Sequence, residues 1–245
     1  MALRDFALLV LVCLIWATSN VIAKFVVADL AVPPLFYAAV RFALVAAITL
    51  PWLFPAPRPR WRLIVVALLM GGGNFALLFI GLQTATASAA AVVIQLGVPI
   101  TTVLSMVMLG EQVRWRRGIG IALTLAGALA VMWDPGGFVV STGLLFVVAA
   151  AFLGSLGAVM MKQMQGVRPM QFQAWVGFAS VWPLAALSLA VEPGAIQAAV
   201  TAGWTFVAAV VFSAVVVSGG APTGHFGPIP RYGGDPISPP APMTP

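Results

Sequence analysis

The residues that could do chemistry in this chain are polar side chains placed inside long apolar runs. Trp16, Asn20 and Lys24 recur every four residues, so a helix would carry them on one face. Tyr37 and Arg41 have the same spacing in the next apolar run. A guanidinium in such a run is suited to binding a carboxylate through two parallel hydrogen bonds. The pattern indicates binding of a small charged molecule in apolar surroundings.

Groups that carry enzymatic chemistry do not cluster in the sequence. The chain has one histidine, His225, and one cysteine, Cys13, and neither has a partner at catalytic or zinc-binding spacing. The carboxylates fall at the ends of the apolar runs, where no buried proton relay would form. The sequence therefore predicts a protein that is not an enzyme and that needs no metal or cofactor.

The elements that must position the polar residues are eight apolar runs, each long enough to cross a bilayer as a helix. Because 62% of the 245 residues are hydrophobic and only 7% are charged, little polar surface remains to solvate a globule. The sequence predicts an all-α polytopic membrane protein with the lipid bilayer as its first partner. The predicted spans are 6–27, 34–54, 62–82, 85–108, 116–133, 138–162, 170–191 and 201–221.

The distribution of basic residues along the chain predicts the membrane topology. Ten of the twelve Lys and Arg residues lie at the termini or at the even-numbered connections between spans, such as Arg60, Arg116 and Arg168. Short loops rich in Lys and Arg stay in the cytoplasm, so we expect a cytoplasmic N-terminus and an inner-membrane location. The net charge of +6 then needs no nucleic-acid partner.

Arg41 is the most deeply placed charge, about 10 Å inside its span at 1.5 Å per residue. An unpaired charge at that depth costs on the order of 3 kcal/mol or more, so Arg41 either faces a cavity or finds a partner. The alternative is an arginine that reaches the interface or caps a neighbouring helix. Both interpretations remain open at this point.

Two further groups of residues suggest a cavity inside the membrane. Asn74 follows the glycine run 71–73, which would weaken the middle of span three or allow close backbone packing. In span four, Ser88, Gln95, Pro99 and Thr102 would share one stripe of a regular helix. That stripe lines a pathway or, alternatively, supplies polar contacts between helices.

A weak internal repeat divides the chain at the turn after span five. Lys24 and Pro34 in the first part correspond to Lys162 and Pro169 in the second, and each proline is followed by an aromatic-containing run that includes Trp175 in the second. An odd number of spans before the turn inverts the second copy, as in many secondary transporters. Glu111, at the end of span four, is expected to form an interfacial ion pair with the arginines after it.

The segment 14–24, the pair Arg41-Phe42 and, above all, the stretch from Thr84 to Gly127 resemble the EamA-type drug/metabolite transporters. The stretch includes the small residues 87–90 and Leu109-Gly110-Glu111. The resemblance implies a ten-helix fold of two inverted five-helix repeats that moves small metabolites, often outward. It covers roughly residues 5–218.

Three segments follow from these patterns. Residues 1–134 form the first five-helix repeat, 138–221 an incomplete second repeat of three helices, and 222–245 an irregular tail. From Gly219 onward the last 27 residues contain eight prolines and six glycines. Either this is a disordered cytoplasmic tail, or it is a corrupted or truncated form of the family's last helices. In the second case, we expect the 245-residue form to be inactive.

The sequence thus predicts a secondary transporter or exporter of amino acids or related amphipathic compounds, working by alternating access between two inverted repeats. The alternative is a structural or accessory membrane protein without transport activity. A homodimer is compatible with either. The residues expected to line the substrate cavity are Trp16, Asn20, Tyr37, Arg41, Asn74, Ser88, Gln95, Pro99 and Trp175.

Overall fold

A computed structural model describes residues 3–54, 59–111, 115–131, 133–134, 137–138, 141–164 and 167–215. Those residues form eight helices, one at each predicted span. Their bounds are α1 (Leu3–Lys24), α2 (Pro34–Trp52), α3 (Arg60–Thr84), α4 (Ala87–Leu109), α5 (Trp115–Val131), α6 (Thr142–Lys162), α7 (Pro169–Val191) and α8 (Ala195–Val215). Within the described part of the chain, six of them, α2, α3, α4, α6, α7 and α8, are long and apolar enough to cross a membrane.

Several helices change their winding partway along. A π-helical turn, Phe25–Asp29, extends α1, and a 3-10 turn, Leu50–Trp52, ends α2. A π-helical segment, Leu68–Gly73, lies in the middle of α3, and a 3-10 segment, Ile94–Leu96, in α4. In α8, Gly203 has φ 59° and ψ −135°, which kinks the helix. Such changes re-aim side chains, so a regular helical spacing cannot be extended across them.

The helix ends separate into two sides of the molecule. On side A, the Nζ of Lys24 at the end of α1 donates to the carbonyl of Gln83 near the end of α3 (3.3 Å). Glu192, just after α7, contacts the start of α2 on the same side. On side B, Lys162 at the end of α6 pairs with Glu111 just after α4. This arrangement agrees with the alternating crossings that the apolar runs predict.

The core is built around the antiparallel contact between α2 and α7, with α3 packed across both. A methyl group on Gly177 of α7 would lie 2.9 Å from the backbone nitrogen of Ala46, so glycine lets the two backbones approach. Val26, Tyr37, Phe42 and Phe79 are fully or almost fully buried in the main cluster. The site residues of α2 therefore lie inside the bundle.

Two span boundaries and one connection differ from the sequence predictions. Ser141 accepts the backbone N–H of Leu144 (3.2 Å), and this N-cap starts α6 at Thr142 instead of 138. Gly194, with φ 82°, starts α8 at Ala195, six residues before the predicted 201. The predicted tight turn between α5 and α6 is flanked by a short antiparallel ladder, Trp133–Asp134 with Gly137–Phe138. The predicted tail, 222–245, lies outside the described residues.

Candidate functional site

The position of α2 is fixed at its first turn by a carboxylate from another helix. Pro34 at the start of α2 lacks an N–H, so the first unpaired donors are those of Leu35 and Phe36. Glu192 accepts both, at 2.9 and 2.8 Å, and its Oε2 also accepts the hydroxyl of Ser188 at 2.8 Å. A negative charge at a helix N-terminus is favourable. This cap holds the helix that carries Tyr37 and Arg41 against the end of α7.

Arg41 is the centre of the candidate site. Its side chain is only 2% exposed, and its guanidinium carbon lies 4.2 Å above the centre of the Phe75 ring. Phe42 and Phe79 complete an aromatic surround at 5.6 and 5.8 Å. A desolvated cation over an aromatic ring gains about 2 kcal/mol, which offsets part of the cost of burying the charge.

Some of the N–H donors of the guanidinium have no hydrogen-bond acceptor among the described residues. Its Nε and Nη1 atoms are buried and have no hydrogen-bond partner among the described residues. No carboxylate in that part of the chain lies within ion-pair distance of Arg41. The arginine therefore neither reaches the interface nor caps a neighbouring helix. The arrangement leaves two N–H donors of the guanidinium, those of Nε and Nη1, available to an anion, and a carboxylate oxygen could accept either in a charge-assisted hydrogen bond.

Tyr37 lies one turn from Arg41 but has a different role in the packing. Its hydroxyl is 2.7 Å from the Oγ of Ser213, which joins α2 to α8 in a fully buried hydrogen bond. Its ring packs on Phe79, with the ring centres 4.9 Å apart. Because the hydroxyl is already engaged, Tyr37 forms a wall next to Arg41.

Asn74 lies on α3 immediately before Phe75. Its Nδ2 is 3.5 Å from the carbonyl of Met70, while its Oδ1 is buried and has no partner among the described residues. Opposite it is Gly154 of α6, where an added methyl group would lie 3.0 Å from Nδ2. Asn74 thus presents a desolvated acceptor at the contact between α3 and α6.

The glycine run before Asn74 is a close packing site. A methyl group on Gly71 would lie 2.5 Å from a methyl carbon of Val176 and 2.7 Å from the Oγ of Ser180. The backbone N–H of Gly72 donates to that same hydroxyl at 2.8 Å, and Ser180 is fully buried. Of the two interpretations left open by the sequence, the geometry shows close packing of α3 on α7, with a π-helical segment at the contact.

The stripe expected along α4 is divided between two environments. Ser88 and Gln95 are exposed, whereas Pro99 and Thr102 are buried. Proline cannot donate to the carbonyl four residues before it and clashes with it, and here that carbonyl belongs to Gln95 in the 3-10 segment Ile94–Leu96. The segment advances by 120° per residue instead of 100°, so the two halves of the stripe no longer share a face.

The remaining predicted residues lie apart from Arg41. Trp16 is 59% exposed and Asn20 is half-buried, beside the face through which α1 packs. Trp175 is buried with Leu53 and Leu63 in a second cluster near side B, and its Nε1 has no partner among the described residues. The structure therefore brings Tyr37 and Arg41 together and leaves Trp16, Asn20, Ser88 and Gln95 on exposed or half-exposed surfaces.

Sequence reasoning missed the residues that surround the guanidinium. Phe75 and Phe79 are four residues apart, so both fall on one face of a helix, but aromatic residues in an apolar run carry no distinctive signal. The sequence also predicted an ion pair between Glu111 and the arginines that follow it, whose side chains lie outside the described residues. Among the described residues, Glu111 pairs with Lys162 in α6.

Known proteins with similar sequences agree with this architecture. The chain is 29% identical to a protein of Escherichia coli (strain K12) named probable amino-acid metabolite efflux pump, over 89% of this chain and 75% of that protein. It is 28% identical to a protein of the same name from Salmonella typhimurium, over 78% of this chain and 66% of the relative, so it spans about two thirds of that relative's length.

A solved crystal structure has the same fold, with a TM-score of 0.57 at 20% identity, over 87% of this chain and 77% of that one. Residues 5–133 match the EamA-like transporter family, and this segment contains α2, α3 and the Arg41 site. Because the match takes in more than half of the chain, this multi-pass membrane protein belongs to the EamA-like transporter family and transports small molecules.

Proposed function

We propose that this protein is a secondary transporter that exports amino acids or related amphipathic compounds, and that Arg41 binds the carboxylate of the substrate. The observation that carries the proposal is a guanidinium only 2% exposed whose Nε and Nη1 atoms have no partner among the described residues. Burying such a group costs several kcal/mol unless an anion or hydrogen bonds compensate. A substrate carboxylate supplies both.

The surroundings of Arg41 favour a substrate that also has an apolar part. Phe75 stacks on one face of the guanidinium, and Phe79 and Tyr37 continue the aromatic wall. Asn74 precedes Phe75 but faces Gly154 of α6, and its unpartnered acceptor there would suit an ammonium group at the contact between α3 and α6. Carboxylate, ammonium and apolar side chain together describe an amino acid. The names of the two relatives point to the same substrate class and to outward transport.

Transport would proceed by alternating access, with the repeat α1–α5 rocking against α6–α8 around the substrate. In the inner membrane, side B would face the cytoplasm, because the basic residues Arg60, Arg62, Lys162 and Arg168 lie at that side. In a cysteine-free version of the protein, a cysteine placed at Arg168 should resist an impermeant thiol reagent in intact cells and react in inside-out vesicles. The reverse pattern would invert the orientation.

The carboxylate assignment is tested by Arg41→Lys. The lysine keeps a positive charge but loses the planar fork of donors and the stacking on Phe75. We expect export of a labelled amino-acid panel from cells to fall at least tenfold, since one charge-assisted hydrogen bond is worth about 1.5 kcal/mol or more. The amount of protein in the membrane should stay close to that of the parent.

Arg62→Lys is the matched control. Arg62 also lies over an aromatic ring, that of Trp61 at 5.3 Å, but it is exposed at the start of α3. The same chemical change there should leave export unchanged. If export persists in Arg41→Lys, or if export and membrane insertion fall together, Arg41 is a structural residue. If the parent exports nothing in the panel, the accessory role is favoured instead.

A further inference from the structure

The contact between Lys162 and Glu111 connects two helices that the sequence assigns to different repeats. The Nζ of Lys162 lies 3.2 and 3.4 Å from the two carboxylate oxygens of Glu111. The same Nζ donates to the Oγ of Ser105 at 3.2 Å. One ammonium thus connects the end of α6 to two points on the end of α4. It forms the one salt bridge recorded between described residues.

The local fold places Glu111 for this contact. Gly110 ends α4 in the left-handed region (φ 67°, ψ 19°), and its N–H donates to the carbonyl of Met106 at 3.1 Å. This left-handed cap turns the chain, so the residue that follows it returns across the end of the helix. Glu111 then lies beside Ser105, and its N–H is 3.4 Å from the carbonyl of that serine.

The pair closes one end of a longer contact between α4 and α6. Nearer the middle of the helices, the hydroxyl of Ser155 on α6 donates to the carbonyl of Gly97 on α4 at 2.9 Å. Thr102, between these levels, is only 3% exposed, and its hydroxyl bonds within its own helix, to Val98. Separation of the ends of α4 and α6 on side B would therefore expose Thr102.

Water has access to this contact, unlike the buried contacts between helices. The side chains of Lys162 and Glu111 are 43% and 38% exposed, so both charges can be hydrated when they separate. Lys162 also lies in the last turn of α6, where a cation is favourable without a partner. By contrast, breaking the cap that Glu192 forms on α2 would leave two backbone donors unpaired.

We propose that Lys162, Glu111 and Ser105 form a latch that holds side B closed and must open in each transport cycle, while the contact between α2 and α7 is kept and serves as the pivot about which the repeats rock. This inference rests on the proposed alternating access. It adds the residues that control one of the two gates. An exposed pair contributes little energy, so its loss should shift the opening equilibrium by only about two- to fivefold.

The test measures opening directly. Cys13 is exposed and is replaced by alanine, and Thr102→Cys serves as the reporter. Inside-out vesicles are treated with an impermeant maleimide, and the rate of labelling is measured. Glu111→Gln and Lys162→Gln should each raise this rate about two- to fivefold. The charge exchange Glu111→Lys with Lys162→Glu should return it to the parent value.

Two controls keep the outcome interpretable. Arg168→Gln removes one exposed positive charge from the same side and should not change labelling. Lys162→Arg keeps the cation and should also leave the rate unchanged. The latch would be overturned if Glu111→Gln and Lys162→Gln both left the labelling rate unchanged. It would also be overturned if the charge-exchanged protein were labelled as fast as these single variants. Labelling of Thr102→Cys needs no substrate. If the labelling rates follow the expected pattern but the parent exports none of the amino acids tested, the substrate proposal fails and the latch stands.

Discussion

Replacing Glu192 should destabilise the protein more than replacing any other exposed or half-exposed carboxylate. Glu192 accepts three hydrogen bonds of 2.8–2.9 Å, from the backbone of Leu35 and Phe36 and from the hydroxyl of Ser188. A hydrogen bond to a charged group contributes roughly 1.5–3 kcal/mol when buried. Glu192 is half-buried, so water would replace part of what is lost. We expect Glu192→Ala to lower the free energy of unfolding by about 2–4 kcal/mol.

Two milder variants separate the contributions. Glu192→Gln keeps an acceptor oxygen but removes the charge at the N-terminus of α2, which costs about 1 kcal/mol. Ser188→Ala removes one of the three bonds at a similar cost of about 1 kcal/mol. Asp29→Asn is the control, because Asp29 is an exposed carboxylate at side A. It should change the free energy of unfolding by less than about 0.5 kcal/mol.

The assay is unfolding of the purified protein in mixed micelles by increasing SDS, followed by far-UV circular dichroism. The expected order of destabilisation is Glu192→Ala, then Glu192→Gln and Ser188→Ala, then Asp29→Asn. If Glu192→Ala were as stable as the parent, the carboxylate would not fix the start of α2. The α2–α7 contact would then be an unsuitable fixed element for the rocking of the repeats.

Two further predictions follow from the packing. Gly71→Ala should lower the free energy of unfolding by about 1–3 kcal/mol in the same assay, because its methyl group would lie 2.5 Å from a valine of α7. Gly118→Ala, with open space around it, should be neutral or stabilising. Equal effects of the two substitutions would contradict the close packing. Tyr37→Phe should cost about 1 kcal/mol by removing the bond to Ser213, with export largely retained; a large loss of export at normal stability would mean that the hydroxyl contacts substrate.

The sequence was sufficient to predict the helices, because long uncharged runs and the bias of Lys and Arg are strong signals in membrane proteins. The family assignment made from residues 84–127 is confirmed by the match over 5–133. The start of α8 was placed too late because Gln197 lowers the local hydropathy of a segment that is already helical. The signal that was overlooked is Gly194, a residue that favours the positive φ found there.

The arrangement of the candidate residues could be predicted only where the helix is regular. Tyr37 and Arg41 lie in an uninterrupted segment of α2, so their four-residue spacing placed them together. The prediction for α4 failed at Pro99, where the 3-10 segment changes the helical phase. The aromatic surround of Arg41 and the pairing of Glu111 with Lys162 depend on how separate helices pack, and spacing within one helix does not contain that information.

The central claim, that Arg41 recognises a carboxylate, is tested most directly by comparing an amino acid with its carboxamide analogue. The pair is based on the amino acid of the panel that is exported best, and both are measured in proteoliposomes with the parent and with Arg41→Gln. The parent should prefer the acid by about tenfold or more, and Arg41→Gln should lose that preference, since a single charge-assisted hydrogen bond is worth about 1.5 kcal/mol or more. Equal transport of acid and amide by the parent, or a preference that survives in Arg41→Gln, would contradict the claim.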